Sequence, residues 1–512
     1  MKKDNQCYLL AIDLGTMSCK VAIFSDAGEL ISHARADLTI HYPQPTWVEA
    51  APDDWWAIVI KLIREALDAS KISPNQLAGI GVCGLMHALV PINRQGNVID
   101  RAMLWMDQRC KSQAEWMIQN FGEKIRQLTG RLPSTTTSAA KLLWLKENRP
   151  DVVERTYKFL LAKDYLRLKL TGEFATDVSD SGGTSLIDRE GKKWSVGLLE
   201  DIIGVSAEKM PVIHQSTDIA GYVTQQAAEE TGLAQGTPVI VGSSDVLATL
   251  TGANIYAPRR VCLYMGTAAW MAMSAETDDR IHPFSEDVRF RYRWLGATAT
   301  LGAGLKWYKE VLGQAEASQA EKNGIDPYVD IEREAAKAPP GAGGLIFIPH
   351  LMGERAIKHN PDAKGTLFGL TLGHQKRHII RAIMEGNAYI IRHLFDVEED
   401  ADLSRQSRGK ITEILTVGGG AKSPLWREII ANVTGKTVLA PRIFEAASLG
   451  VAILAGVGIG VLNNIKETTN AWVHIAGRIE PDPALTQKYE KSYRLYRDLD
   501  TALQKFYLRV ED

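Results

Sequence analysis

The sequence predicts an α/β protein built from two related halves, because one strand–turn–strand pattern occurs twice along the chain. Each copy has an apolar run, a small-residue turn with Gly-Thr at its tip and a second apolar run: residues 8–12, Gly15-Thr16 and 19–24, then residues 261–265, Gly266-Thr267 and 270–273. Apolar runs on either side of such a turn are typical of a β-hairpin. Two similar hairpins, one near the start and one near the middle, indicate a two-lobed molecule.

The remaining elements alternate between strands and helices, which gives each half a mixed sheet with helices packed on it. Short apolar runs predict strands at 77–83, 237–241 and 413–417. Apolar residues at helical spacing predict helices at 55–69 and 378–395.

Three segments and a boundary complete the outline. The apolar stretch 449–462 carries four glycines and is too short to span a bilayer, so we expect a buried helix there. The polar segment 312–340 predicts a helical surface insertion, and residues 463–512 predict a C-terminal helical extension. The halves meet near 253–260, which predicts an N-terminal domain over 1–255 and a C-terminal domain over 256–512.

Composition excludes several functional classes. The chain has 512 residues, and its 59 basic and 61 acidic residues give a formal net charge of -2. Because Lys and Arg form no long run, we expect neither a nucleic-acid partner nor a membrane surface. The five cysteines show no metal-ligand spacing, and the charged residues 1–6 make a poor signal peptide. We therefore predict reduced thiols and a cytoplasmic location.

Both hairpin tips are candidate phosphate sites. Their glycines let the backbone approach a ligand, and consecutive N–H groups at such turns bind anions. Thr16, Ser18 and Thr267 add hydroxyl donors. Asp13 comes just before the first tip, and a carboxylate there can hold magnesium directly or through water. The alternative, an Asp that ends a strand and caps a turn, stays open.

Asp245 is a candidate general base. It follows an apolar strand and the small residues 242–244, and it precedes an apolar helix. At a helix N-terminus the dipole favours the ionised carboxylate, which is the form that accepts a proton. A plain N-cap is the alternative use of Asp at this position.

A third glycine-rich turn follows the strand predicted over 413–417. The three glycines 418–420 leave flat space for a nucleobase or a close backbone approach, and a helix begins near Pro424. Lys422 and Ser423 are not preceded by the Gly-x4-Gly spacing of a Walker A loop. A turn that binds no ligand is the alternative.

Taken together, these features resemble the FGGY family of carbohydrate kinases over almost the whole chain. Residues 365–370 and 378–385 match the family's C-terminal signature, and residues 141–148 match the core of its N-terminal signature. Thr136 is atypical at the first position of the N-terminal signature. The resemblance implies an α/β, two-lobed actin/hexokinase-like ATPase fold, with ribonuclease H-like duplicated domains and a central cleft. It also implies transfer of the γ-phosphoryl group of ATP to a sugar hydroxyl.

The resemblance implies roles for particular residues. Asp245 is the expected catalytic base, and both Asp13 and Asp245 are expected at the magnesium ion. The expected nucleotide contacts are Gly15, Thr16, Ser18, Lys20, Gly266, Thr267, Gly302, Lys306, Gly419, Gly420, Ala421 and Pro424. The expected sugar contacts, besides Asp245, are Met86, His87, Trp105, Asp107 and Arg109. For Asp107 and Arg109, a structural role in which they pair only with each other is the alternative.

Different segments of the chain resemble kinases that act on different sugars. Residues 47–56 and 160–177 resemble xylulokinases, which makes D-xylulose the expected substrate. Xylulokinases carry Asn after the catalytic Asp, whereas Val246 follows Asp245 here, and valine forms no side-chain hydrogen bond. Three segments resemble gluconate kinases instead: 244–250, 324–328 and 445–450. A gluconate kinase, or a kinase of another pentulose, tetritol or sugar acid, is the alternative.

Two functions of other classes stay open. An actin- or chaperone-like ATPase hydrolyses ATP without stimulation by sugar, and a sugar sensor keeps the fold without catalysis. The presence of Asp13, Asp245 and both Gly-Thr tips disfavours the sensor. The expected small-molecule partners are ATP with Mg²⁺ and a sugar, and the family likeness suggests a homodimer.

Overall fold

The structure is a computed structural model that describes residues 7–256, 260–274, 292–358, 360–403 and 411–507. The described residues form two compact units. Unit 1 holds residues 7–254 and Ala446–Val473, and unit 2 holds the other described residues. Residues 1–6, which we weighed as a signal peptide, lie outside the described residues, as do residues 257–259 of the predicted boundary.

Unit 1 is built around a seven-stranded sheet. The strands up to residue 254 are β1 (Tyr8–Leu14), β2 (Ser18–Ser25), β3 (Leu30–Asp37), β4 (Glu49–Ala50), β5 (Leu77–Gly84), β6 (Val90–Ile92), β7 (Ala102–Met103), β8 (Lys158–Leu160), β9 (Ala175–Asp177), β10 (Val212–His214), β11 (Ile219–Tyr222), β12 (Pro238–Ile240) and β13 (Ser243–Ser244). The helices are α1 (Pro52–Ser70), α2 (Lys111–Thr129), α3 (Ser138–Asn148), α4 (Pro150–Arg155), α5 (Ala162–Thr171), α6 (Val178–Ser181), α7 (Val196–Leu198), α8 (Gln225–Thr231) and α9 (Asp245–Gly252).

The sheet of unit 1 confirms the first predicted hairpin, because β1 and β2 are antiparallel neighbours. On its other side β1 pairs in parallel with β5, and β5 pairs in parallel with β12 and β13. The strand order is β3-β2-β1-β5-β12-β11, with β13 beside β5. The carboxyl ends of parallel strands lie at one edge of a sheet, and this edge is where α/β proteins bind ligands. The residues that follow β1, β5 and β13 are therefore neighbours.

Helix α1 shows why the helix predicted over 55–69 forms. Pro52 occupies its first turn, where a missing N–H costs no hydrogen bond, and Asp53 and Asp54 complement the positive end of the helix dipole. Lys71 ends the helix in a left-handed conformation at φ 57°. The face toward the sheet is apolar and buried: Trp55, Trp56, Val59, Leu62, Ile63, Ala66 and Leu67.

Unit 2 is built around a six-stranded sheet. In chain order its first elements are β14 (Arg260–Met265), β15 (Ala269–Ser274), β16 (Tyr292–Thr298), α10 (Gly302–Val311), α11 (Gln314–Lys322), α12 (Pro327–Ala336), β17 (Ile346–Ile348), β18 (Thr366–Phe368), α13 (Lys376–Leu403), β19 (Glu413–Val417), α14 (Pro424–Thr434) and β20 (Thr437–Pro441). The chain then returns to unit 1 with α15 (Ala446–Gly458) and α16 (Ile465–Trp472), and it ends in unit 2 with β21 (Ile475–Ile479) and α17 (Pro483–Tyr507).

The two sheets are similar in the positions and directions of their strands. The order in unit 2 is β16-β15-β14-β19-β20-β21, in which β14 pairs antiparallel with β15 and parallel with β19. The edge strands β11 and β21 each run antiparallel to their neighbours. The first five strands of this order match those of unit 1 in chain order and direction, but the outermost strands differ: β11 precedes its neighbour β12 in the chain, whereas β21 follows β20. The duplication that two short hairpin patterns indicated in the sequence therefore extends over five strands of each sheet.

The helix predicted over 449–462 is present as α15, and all its residues from Ala446 to Gly456 are buried. It packs in unit 1, whereas the predicted boundary assigns the whole of 256–512 to the C-terminal domain. A Cβ on Gly252 would overlap the carbonyl oxygen of Ala446, and a Cβ on Gly450 would overlap that of Ala248. Two glycines thus allow α9 and α15 to pack backbone against backbone. No local pattern in the sequence indicates this long-range contact.

The segment 312–340 is helical as predicted, since it holds α11 and α12. The C-terminal extension is helical only in part, because β21 adds a sixth strand to the sheet beside β20. β21 has a glycine at its centre and two exposed residues at its start, so it lacks the apolar run by which strands were recognised. Among the described residues, none of the helices is long and apolar enough to cross a membrane.

Candidate active site

The first Gly-Thr tip joins β1 to β2. The N–H of Gly15 donates to the carbonyl oxygen of Ser18 at 3.0 Å, and a Cβ on Gly15 would lie 2.9 Å from the same oxygen. This close approach explains the glycine. The indole nitrogen of Trp105 donates to the hydroxyl oxygen of Thr16 at 2.9 Å, so the tip is fixed from outside the hairpin.

Asp13 lies near the carboxyl end of β1 and is only 5% exposed. Its Oδ2 accepts from Nζ of Lys20, its neighbour across the hairpin, at 3.3 Å. Its Oδ1 lies 3.7 Å from the Sγ of Cys83, which is its neighbour on β5. Lys20, predicted to contact the nucleotide, therefore also neutralises the charge of Asp13.

Asp245 is the first residue of α9, but it does not cap that helix. Ser244 is the N-cap, and its hydroxyl accepts from the N–H of Leu247 at 3.2 Å. The carboxylate of Asp245 accepts from the N–H of Val246 at 2.9 Å. The alternative of a plain N-cap is therefore wrong for Asp245.

Burial and, next, the charge of Asp13 raise the pKa of Asp245 to about 7, although backbone N–H groups oppose the shift. The side chain keeps some solvent exposure, yet the surrounding protein still disfavours its charge. The helix dipole, from which the sequence predicts an ionised carboxylate, acts in the opposite direction. Desolvation and a like charge outweigh the dipole here.

The two carboxylates lie at one edge of the sheet. Cys83 on β5 is the neighbour of Asp13 on β1 and of Ser243 on β13. Burial, followed by the charges of Asp13 and Asp245, raises the pKa of the Cys83 thiol, so both carboxylates are within electrostatic reach of it.

This pair of carboxylates fits a magnesium ion. Mg²⁺ is usually held by one or two carboxylates, with water and substrate phosphate oxygens completing its shell. Asp13 and Asp245 repel one another, and a divalent cation would relieve that repulsion. Among the described residues no three His, Cys, Asp or Glu side chains form a complete metal cage. Two carboxylates would leave the other positions around such an ion to water and to phosphate oxygens.

Met86 and His87 follow the carboxyl end of β5 and are half-buried. The backbone of His87 is left-handed, at φ 71°. Its carbonyl oxygen accepts from the hydroxyl of Ser138 and from Nζ of Lys141, each at 3.2 Å. A left-handed non-glycine residue persists only where its surroundings hold it, and α3 supplies both donors. Lys141 belongs to the segment that matches the N-terminal family signature.

Asp107 and Arg109 fit the structural alternative better than sugar binding. Asp107 is fully buried, and its carboxylate accepts from the N–H of Val48 at 2.7 Å and from Nε of Arg109 at 2.9 Å. The guanidinium of Arg109 also donates to Glu49 at 2.8 Å and stacks 3.7 Å from the ring centre of Trp47. The side chain of Asp107 does not reach the surface, which favours the structural alternative, and its sugar contact stays a prediction.

The second Gly-Thr tip joins β14 to β15 and packs on the start of α10. The carbonyl oxygen of Gly266 accepts from the N–H of Gly302 at 3.0 Å, and that of Thr267 accepts from Leu301 at 2.9 Å. A Cβ on Gly302 would lie 2.6 Å from the carbonyl oxygen of Gly266. Gly302 thus supports the tip. Lys306, one turn along α10, has a side chain 46% exposed and lies 3.8 Å from Glu310.

The glycine-rich turn after β19 is only partly accessible. Gly418 is left-handed at φ 89°, and Gly420 packs on Met265, with a Cβ position 3.2 Å from the Met265 side chain. Gly419 is exposed, with no atom within 4 Å of its Cβ position. Ala421 is fully buried, and its predicted contact with adenosine stays a prediction. Pro424 begins α14 as predicted.

A buried charge cluster lies near Asp245, and it was not predicted from the sequence. Nζ of Lys163 lies 2.6 Å from Asp164, 3.0 Å from Asp177 and 3.5 Å from Asp180, and none of these side chains is exposed. Burial opposes the charge of Lys163, but the carboxylates of Asp164 and Asp177 raise its pKa above the ordinary value. The only signal in the sequence was the presence of several acidic and basic residues within 160–180.

Comparison with known proteins gives matches over both units. Residues 8–252 match the N-terminal domain of the FGGY family of carbohydrate kinases, and residues 262–459 match its C-terminal domain. The chain is 28% identical to a xylulose kinase of Bacillus subtilis, over 98% of this chain and 99% of the relative. It is 30% identical to glycerol kinase 2 of Saccharolobus solfataricus, over 91% of each. It is 25% identical to a gluconokinase of Bacillus subtilis, over 99% of this chain and 98% of the relative.

A solved structure confirms the fold. The chain superposes on a gluconate kinase from Lactobacillus acidophilus with a TM-score of 0.83, over 98% of this chain and 99% of that one, at 24% identity. The predicted α/β fold of the actin/hexokinase type is therefore correct.

Proposed function

Because the chain belongs to the FGGY family of carbohydrate kinases and is a sugar kinase, we propose that its sugar is D-xylulose and that Asp245 is the general base. One observation carries the proposal: Asp245 lies at the carboxyl edge of the sheet, beside Asp13 and on the same unit as Met86 and His87. Full-length similarity to the Bacillus subtilis xylulose kinase supports the choice of sugar.

The proposed mechanism begins with the sugar held by Met86 and His87. Asp245 then accepts the proton of a primary hydroxyl as that oxygen attacks the γ-phosphorus of ATP. Accepting that proton requires the ionised carboxylate, which is also the form that a nearby magnesium ion would favour. The hydroxyls of Thr16 and Thr267 and the backbone N–H groups that follow each tip glycine would donate to phosphate oxygens, since phosphoryl transfer depends mainly on positioning and charge stabilisation.

Magnesium is part of the proposal. Asp13 and Asp245 would hold it, and when bound it would neutralise the charge that develops on the phosphate oxygens. Lys20 shields Asp13 through its contact at 3.3 Å. The homodimer and the cytoplasmic location also stay predictions.

Gluconate is the second candidate substrate, and Val246 favours it. This residue follows the proposed base and is buried, at 7% exposure. A site that relies on a hydrogen bond to a substrate hydroxyl loses much of its discrimination when the partner group is absent. The similarity to the Bacillus subtilis gluconokinase supports the same alternative.

A coupled ADP-release assay across D-xylulose, other ketopentoses, tetritols, glycerol and gluconate tests these proposals. We expect the highest kcat/KM with D-xylulose. A higher value with gluconate would replace the first candidate with the second, and equal ADP release with and without any sugar would favour an ATPase of another class. Asp245→Asn is the control that assigns the activity to this site.

A further inference from the structure

We propose that two residues of one short segment align the base with the sugar: Ser179 positions Asp245, and Gly183 positions Met86 and His87. The inference rests on the proposed function, because it takes Asp245 as the base and Met86 and His87 as sugar contacts. Ser179 and Gly183 are positioning residues and touch no substrate.

Ser179 fixes the start of the helix that carries Asp245. Its hydroxyl oxygen accepts from the backbone N–H of Ser244 at 2.9 Å, and the hydroxyl donates to Oδ2 of Asp177 at 2.5 Å. Ser244 precedes Asp245 and caps α9 through its own side chain. The bond to Ser179 therefore holds the point at which β13 turns into α9.

Ser179 is itself held by the buried charge cluster. Oδ1 of Asp177 lies 3.0 Å from Nζ of Lys163, while its Oδ2 also accepts from the hydroxyl of Ser216 at 2.7 Å. None of these side chains is exposed by more than 1%. Removing one partner from such a buried network is costly, which makes the network rigid. Ser179 therefore links the start of α9, and with it Asp245, to a rigid part of the interior of unit 1.

Gly183 lies at the other end of the segment. Because it has no side chain, it leaves space for the side chains of Met86 and His87. A Cβ at this position would overlap the terminal methyl group of Met86 and lie 3.0 Å from Cε1 of His87. Gly183 has no left-handed backbone, so alanine fits its conformation and only the space decides. The carbonyl of Gly182 accepts from Arg131 at 3.3 Å, which limits how far the segment can retreat.

The two contacts predict opposite kinetic signatures. Displacement of the base by a fraction of an ångström lowers the rate of the chemical step and leaves sugar binding intact. Displacement of Met86 and His87 weakens sugar binding in the ground state and the transition state alike, which raises KM. A merely structural role would change stability without this separation.

The first test compares Ser179→Ala with Ser216→Ala. Both variants remove a hydroxyl that donates to Asp177, but only Ser179 contacts Ser244. We expect kcat to fall about tenfold in Ser179→Ala with the sugar KM within about twofold, and to fall by no more than about threefold in Ser216→Ala, which disturbs the same network but keeps the bond to Ser244. Ser179→Thr keeps the hydroxyl and restores most of kcat. Equal losses of kcat in the two alanine variants would overturn the role of Ser179.

The second test compares Gly183→Ala with Gly79→Ala. A Cβ on Gly79 also meets a side chain, at 2.7 Å from Cδ1 of Ile459, but it lies at the opposite end of β5 from the site. We expect Gly183→Ala to raise the sugar KM about tenfold with kcat within about threefold, and Gly79→Ala to leave both unchanged. An unchanged sugar KM in Gly183→Ala would show that Gly183 does not position Met86 and His87.

These outcomes separate the inference from the function on which it rests. Wild-type protein without sugar-dependent ADP release refutes the proposed function. An active wild type whose two variants change the same kinetic parameter refutes only the positioning roles. Far-ultraviolet circular dichroism checks that each variant folds. If Ser179→Ala does not fold, Ser179→Cys takes its place. We expect the same loss of kcat in Ser179→Cys, because sulfur is a weak hydrogen-bond acceptor.

Discussion

The indole nitrogen of Trp105 donates to the hydroxyl oxygen of Thr16 at 2.9 Å, across 89 residues of sequence. We predicted Trp105 as a sugar contact and Thr16 as a phosphate contact, and the structure joins them within unit 1. Because the indole N–H only donates, Thr16 is the acceptor in this bond. Trp105 therefore influences the first phosphate tip, whatever else it touches.

We expect Trp105→Phe to weaken ATP binding, because it removes this hydrogen bond and keeps an aromatic ring. The loss is about 1 kcal/mol, or about fivefold in the KM for ATP. Steady-state kinetics with each substrate varied in turn measure the effect, with the exposed Trp116→Phe as control. A rise in the sugar KM alone would show that Trp105 acts as a sugar contact instead.

Asp245→Asn tests the base. Asparagine keeps the size of the side chain but accepts no proton from the sugar hydroxyl, so we expect kcat to fall by roughly 10²–10⁴. Sugar binding, measured by isothermal titration calorimetry, should persist. Asp54→Asn, an exposed residue in the first turn of α1, serves as control. Near-normal turnover in Asp245→Asn would exclude it as the base.

Gly302→Ala tests the second tip. Its new Cβ would meet the carbonyl oxygen of Gly266, and because that atom is backbone the tip itself must shift. We expect the KM for ATP to rise about tenfold or more, with direct sugar binding unchanged. Gly373→Ala, where the nearest atom to the Cβ position is 3.8 Å away, is the control. Equal losses for ATP and sugar would contradict the assignment.

Lys141→Met tests the support of His87. The substitution removes one of the two donors to the left-handed carbonyl, and it also removes the donor to the carbonyl of Thr136 at 2.9 Å. We expect the free energy of unfolding to fall by about 1–3 kcal/mol and the sugar KM to rise several-fold. Urea unfolding and sugar-varied kinetics measure the two effects. Lys146→Met, on the exposed face of the same helix, should change neither.

Much of the fold was predictable from local patterns. Both hairpins, the central strands and α1 follow from apolar runs and spacing within short windows, because local sequence decides which face of an element is buried. The site was predictable in part, since Asp13, Asp245 and the Gly-Thr tips follow recognisable strand ends. The burial of Asp107 and Ala421 was not predictable, because a motif does not report whether its side chains reach the surface.

The sequence by itself determined that two duplicated α/β halves carry Gly-Thr tips, and that Asp245 begins a helix. Only the tertiary structure showed that Ser244 caps that helix, that α15 returns to unit 1, and that burial with Asp13 raises the pKa of Asp245. The physical reason is the distance along the chain over which each effect acts. Propensity and periodicity act between near neighbours in sequence, whereas desolvation, electrostatics and close packing depend on which distant segments the fold brings together.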